Sequence, residues 1–181
     1  MDVRTRAAHL TLLAALALLS LGAGGATAAG NPVRTLSAAN QLETQVLAEL
    51  NAIRRAHHLV PLRLSRPLTS AAGSHSRAMG TYGFFSHSSR DGSPFWKRVK
   101  SFYAPSSNGG WSVGENLLWS TTGIDASDAL KLWMASPGHR KNILAPGWRE
   151  VGLSALTVAA APGVFGGRDV VIITTDFGFR T

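Results

Sequence analysis

Leu42, Val46, Leu50 and Ile53 recur at intervals of four, four and three, the spacing that lines up side chains on one helical face. Asn40, with Glu43 three residues later, resembles a capping box at the start of that helix. His57 and His58 close it, where positive charge suits the helix C-terminus and the side chains read as solvated. "LVPLRLS" reads as a connector around Pro61. A second helix follows, capped at Ser65 with Pro67 early in it. Leu68, Ala71, Ala72, His75, Ala78 and Met79 mark its inner face, so His75 reads as a core histidine. "GTYGFFSHSSRDGSPF" is rich in turn formers, with Asp91-Gly92 the clearest turn, and residues 101–113 read as a long polar loop.

Beyond that loop the pattern changes. "GENLLWS" reads as a short buried strand. Asp125 and Asp128 frame a helix start, with Ala126, Ala129, Leu130 and Trp133 on its buried side. Ser136 then stands where a second, short helix is capped, and Pro137 suits its first position. "EVGLSALTVA" and "RDVVIITTDFGF" read as two strands, joined through Ala161-Pro162-Gly163 and Gly166-Gly167. Helices come first and strands late, with one strand between. That order predicts an α+β fold with an antiparallel sheet rather than a doubly wound parallel one.

The N-terminus changes the picture of where the chain works. Arg4 and Arg6 precede an apolar run from Leu10 to Leu21, and Ala26-Thr27-Ala28 supplies small residues of the A-x-A kind. This predicts a secretory signal peptide over 1–28, a short tail over 29–36 and a single domain over 37–181. The apolar run is short for a membrane span, which leaves none expected in the mature chain. The whole chain carries +8, and cleavage after Ala28 leaves 153 residues with +7. That length can bury a real core. A basic exported chain meets anionic cell-surface polymers, lipid headgroups and acidic glycans, whereas its compartment argues against nucleic acid. There is no cysteine. Disulfides, a thiolate nucleophile, a cysteine-ligated zinc site and a cysteine-linked lipid anchor are all excluded.

No G-x-S-x-G, H-E-x-x-H, phosphate-binding glycine loop or dinucleotide fingerprint occurs. Three polar residues stand in turn-like settings with apolar flanks: His87, Glu115 and His139. Each has an ordinary structural explanation as a turn, loop or helix-end residue. Were they to converge, two neutral imidazoles could ligate zinc with an open position, the carboxylate serving as a third ligand or orienting one histidine from behind. Alternatively, a carboxylate beside a histidine makes an acid/base pair. That chemistry needs a nucleophile, and Ser86, Ser88 and Ser136 are the only local hydroxyls, none marked as activated. Phe84, Phe85, Trp111 and Trp119 lie near these segments and either line an apolar cleft or pack in the core.

Taken in order, "LNAIRRAHHLVPLRLSRPLTSAAGSHSRAM", "FFSH", "GENLLWS", "LWMASPGHRKNIL", "EVGLS" and "TTDFGF" resemble the bacterial branch of the CAP superfamily. This is the SCP-like group of cysteine-rich secretory proteins, antigen five and pathogenesis-related-one proteins. The resemblance runs from about Leu42 to Phe179. It implies a three-layer α-β-α sandwich with a central antiparallel sheet, and a cleft lined by two histidines and two acids. His87 matches the first histidine, Glu115 the acid of "GEN", and His139 the second histidine. The second acid falls at Ser136, so three of the four are matched, with Glu150 and Asp91 as spatial substitutes. Asn116, Arg140 and Asn142 are expected to hold neighbouring loops of the cleft.

The resemblance gives a fold better than a function, and three functional classes are carried, the third on the chain's charge. The favoured one is a secreted ligand-binding or interaction module, taking a lipid or small apolar ligand, a divalent metal or a partner protein. The second is a metal-dependent extracellular hydrolase of wall or matrix polymers. There His87 and His139 would hold zinc, and Glu115 would act on its bound water. The third is a surface protein that adheres by charge to anionic polymers. All three act outside the cell, whether released or retained at its surface.

Overall fold

The computed structural model describes residues 38–105, 107, 109–121 and 123–181. The expected signal peptide and tail, 1–36, lie outside the described residues. The elements are α1 (Ala38–Ala56), β1 (Arg63–Leu64), α2 (Arg66–Tyr82), α3 (Phe95–Phe102), β2 (Trp111–Thr121), α4 (Ala126–Ala135), α5 (Pro137–Leu144), β3 (Glu150–Ala161) and β4 (Arg168–Arg180).

The helix predicted from Leu42 to Ile53 is α1, and its apolar stripe puts Val46 and Leu50 fully inside. It begins at Ala38, upstream of Asn40, so the expected capping box is not its start. Glu43 instead reaches the sheet, where its Oε1 accepts the Ala155 N–H at 2.9 Å. α2 begins after Ser65 with Pro67 in its first turn, and Ser65 makes no side-chain cap bond. It runs on to Tyr82, further than the turn-rich composition suggested, and ends at Gly83. There the backbone turns left-handed (φ 67°) and the Gly83 N–H bonds the Met79 carbonyl.

The sheet order is β1-β3-β4-β2. β4 is antiparallel to both β3 and β2, whereas the two-residue β1 pairs with β3 in parallel. The sheet is therefore antiparallel except at one edge, where the expected connector contributes a strand. Alternate residues of β4 serve opposite faces. Val171, Ile173 and Phe177 pack with Val46 and Leu50 of α1, Trp133 of α4 and Ile143 of α5. Val170 and Ile172 pack with Met79 of α2 and Leu117 of β2. The result is the three-layer α-β-α sandwich. α2 lies very close to β3: a Cβ on Gly152 would fall 2.0 Å from the Leu68 carbonyl carbon.

One expectation about the middle of the chain is corrected at both ends. The polar loop expected over 101–113 is bounded by α3 on one side and by β2, which starts at Trp111, on the other. α3 escaped the periodic reading because it is only eight residues long and sits behind Pro94 among turn formers. Among the described residues, no helix is long and apolar enough to cross a membrane.

Candidate functional site

β2 is an edge strand, so its side chains look into both helical layers beside an open flank of the sheet. Leu117 and Trp119 face the α2 side, and by alternation Glu115 does too, while Leu118 faces the α1 side. The Glu115 side chain is only 1% exposed. Its Oε1 accepts the Nδ1–H of His87 at 2.8 Å, and its Oε2 accepts from Arg98 Nη2 of α3. A carboxylate this deep requires such partners. His87 lies between α2 and α3 with 53% of its side chain exposed. With Nδ1 donating to Glu115, a neutral His87 leaves Nε2 as an acceptor.

Arg98, which the sequence reading did not single out, ties the upper wall together. Besides Glu115, its Nη1 bonds the His87 carbonyl at 3.3 Å and Ser89 Oγ at 3.0 Å. Behind it, His75 is the core histidine expected, 1% exposed, with its Nε2 donating to the Ser86 carbonyl at 2.7 Å. Burial, and then the positive charge of Arg98, push its pKa below the ordinary value, which keeps it neutral.

The lower wall comes from α5. Ser136 occupies the N-cap position and Pro137 the first turn, as expected, although Ser136 makes no side-chain cap bond. His139 therefore sits in a helical turn and is half-buried. Burial, and then the nearby charge of His87, lower its pKa. An asparagine pair fixes α5 to the strand. Asn116 Nδ2 donates to the His139 carbonyl at 3.1 Å. Asn142 Nδ2 donates to the Glu115 carbonyl at 3.0 Å and to Asn116 Oδ1 at 2.9 Å. The structure thus joins His87 and Glu115 directly and brings His139 within electrostatic reach of His87. Arg140 is exposed.

A second acid stands beside Glu115, but it is neither Glu150 nor Asp91. Glu150 accepts from the Tyr103 hydroxyl at 2.5 Å, and Asp91 is exposed in a turn, accepting the Ser93 N–H. The acid is Asp176, directly opposite Glu115 in the β2–β4 register and fully buried. As a carboxylate, neither of its oxygens has a hydrogen-bond partner among the described residues. Burial, and then the charge of Glu115, raise its pKa well above the ordinary value, against the opposing pull of Arg98. A protonated Asp176 gains a donor for Glu115, which resolves the missing partner. The sequence did carry a signal: Asp176 is the one acid within the apolar run "VVIITTDFGF".

The aromatics divide. Phe84 and Trp119 pack in the α2-side core, and Trp111 packs near Tyr103 with its Nε1 donating to the Tyr103 carbonyl at 2.7 Å. Phe85 alone of the four is exposed. The donor set does not fit a three-ligand zinc centre. Both Glu115 oxygens are engaged, and the Arg98 guanidinium stands where it opposes a cation. Among the described residues, no group of three or more His, Asp or Glu side chains is placed to hold a metal ion.

A family model described as the cysteine-rich secretory protein family, CAP, matches residues 47–166. The uncharacterized protein YkwD of Bacillus subtilis is 33% identical over 118 residues, covering 65% of this chain and 43% of that protein. The uncharacterized membrane protein YlbC of the same organism is 29% identical over 111 residues, covering 61% and 30%. The chain therefore spans less than half the length of either relative. Among solved structures, an extracellular protein of Bacillus anthracis containing an SCP domain matches with a TM-score of 0.60 at 26% identity, over 79% of this chain and 41% of that one. An outer surface protein of Borrelia burgdorferi matches with a TM-score of 0.64 over 78% and 94%, and at 17% identity the likeness is one of fold.

Proposed function

The chain belongs to the CAP, or cysteine-rich secretory protein, family, and on that premise we propose that it is an extracellular binding module whose His87/His139 cleft takes an anionic, phosphate-bearing group. Such a group occurs on lipid headgroups and on surface polymers alike. One observation carries the reading: the Glu115 carboxylate is consumed by His87 and Arg98. The cleft therefore offers imidazole rings, which donate to an anion through any ring nitrogen that carries a proton, beside a buried guanidinium held by Glu115, with no free carboxylate to repel the anion. Phe84, Trp111 and Trp119 are partly buried and packed against the core, which argues against a mainly apolar ligand in this cleft. The formal charge of +8 and pI near 11.1 favour anionic surfaces generally. The expected placement outside the cell agrees with the names of the structural neighbours.

The test is binding to phosphatidylglycerol vesicles and to inorganic phosphate, for the wild type and a His87→Ala/His139→Ala variant. Binding of both probes that falls at least tenfold in the variant supports the cleft. Equal binding by both proteins that disappears with salt would instead mean adhesion by overall charge. A second reading, hydrolysis with His87 as general base, draws on the His87–Glu115 bond. It requires turnover of a phosphodiester or ester substrate that Glu115→Gln abolishes. Zinc should not restore that activity, because the donor set does not suit the ion.

A further inference from the structure

A cavity of about 560 Å³ opens between α2, the turn that follows it and α3. That volume suits a small-molecule ligand. Neither His87 nor His139 lines it, although Arg98, which holds Glu115, forms part of its wall together with His75 and Ser89. Ser74 and Ala78 come from α2, Arg90 and Asp91 from the turn, and Ser101 and Phe102 from α3. We propose that this cavity is a second binding site, bordering the cleft at Arg98, and that it takes a saccharide unit.

The groups are presented in fixed positions. The Arg90 guanidinium rests 3.8 Å from the Tyr82 ring centroid, which restrains a long side chain at a cation–π contact. Asp91 Oδ1 accepts the Ser93 N–H at 2.9 Å, pinning an exposed carboxylate within its turn. Hydrogen bonding from Ser93 also lowers the Asp91 pKa, so the group is an ionised acceptor at neutral pH. Ser101 Oγ donates to the Arg98 carbonyl at 2.7 Å, which leaves its oxygen able to accept. Phe102 is 41% exposed and, with Ala78, gives the cavity apolar surface.

Three ligand classes can be compared against this set. A simple anion gains from Arg90 but is repelled by Asp91, and the charge of Arg98 is already taken up by Glu115. An acyl chain gains from Phe102 and Ala78 but makes no use of the two charges or the serine hydroxyls. A polyhydroxylated ring uses all of them. Its hydroxyls donate to Asp91 and accept from Arg90, and its C–H face covers Phe102. The paired opposite charges that count against the other two classes are what a sugar ring needs.

The experiment is a chemical-shift titration of the purified chain with N-acetylglucosamine and with glucuronate, using inorganic phosphate as the control probe. At least one sugar should give saturable shifts. Phe102→Ala and Asp91→Asn, both at exposed positions, should each weaken that binding about tenfold. The second variant keeps an oxygen for the Ser93 N–H, so its turn survives. The His87→Ala/His139→Ala variant should bind sugar like the wild type, which separates failure here from failure of the cleft reading. Three results would overturn the proposal: no saturable shift with either sugar, phosphate binding that strengthens in Asp91→Asn while sugar binding is unchanged, or loss of sugar binding in the histidine variant.

Discussion

Replacing Asp176 by Asn removes one titrating group while keeping its shape, and the structure fixes what should follow. Asp176 is fully buried and faces Glu115 across the ladder. Burial and the charge of Glu115 raise its folded-state pKa above the ordinary 3.8, so the native state holds a proton that the unfolded chain has released. The stabilisation that this proton linkage contributes is complete below the unfolded pKa. It declines as pH rises from there through the raised folded pKa. One proton changes stability by about 1.4 kcal/mol per pH unit inside that window. Asn carries no such slope, and its amide can donate to Glu115 as a protonated Asp176 would. Urea unfolding of both proteins at several values between about pH 4 and 7 measures the difference. The stability of the wild type, relative to Asp176→Asn, should fall by about 1.4 kcal/mol for each unit of rising pH in the window and then level off. Parallel stability curves across the whole range would refute the reasoning, because Asp176 would then be ionised in the native protein.

Gly152→Ala should destabilise the fold by roughly 3 kcal/mol or more, because its Cβ would lie 2.0 Å from backbone of α2 that has no flexible end to move; thermal unfolding reads this, and an unchanged midpoint would contradict the close packing. Arg54→Met should cost roughly 3–5 kcal/mol, at about 1–3 kcal/mol for each buried carbonyl left without its donor. It strands the Val60, Ile143 and Ala145 carbonyls that the fully buried guanidinium satisfies at 2.9, 2.7 and 3.0 Å. A loss under about 1 kcal/mol in denaturant titration would mean that water replaces those bonds. Asn142→Ala should cost roughly 1–3 kcal/mol by releasing the Glu115 carbonyl and the Asn116 side chain. The His139 imidazole should titrate by NMR below the ordinary value of 6.5, and its midpoint should move up in His87→Ala as the repelling charge disappears. No movement would place the two rings too far apart to share a ligand.

The helices with strong periodicity were legible in the sequence. α4 illustrates why: Asp125 caps it by accepting the Asp128 N–H at 2.8 Å, a local bond between residues three apart. The site was legible only where a family motif marked it. His87, Glu115 and His139 were named from motifs, yet their separations of 28 and 24 residues contain no geometry. Arg98 was missed because its function depends on α3, and that helix is too short to announce itself by periodicity. Asp176 was missed for a topological reason. Its neighbour Glu115 lies on a strand 61 residues earlier, and only the β2–β4 register brings the two together. An acid inside an apolar strand was nevertheless a visible anomaly, because burial of that kind demands a compensating partner.

The position of β4 has a consequence for the order in which the molecule can be made. β4 is synthesised after every element it joins, yet it lies between β3 and β2. Until residues 168–180 leave the ribosome, β2 and β3 have no common neighbour, and the apolar faces of α1 and α2 lack the strand on which both layers close. Before that point the elements already made are limited to contacts among themselves, and the slow, long-range pairing of the sheet waits for β4. The sheet, and with it both helical layers, closes only when β4 takes its place between β3 and β2.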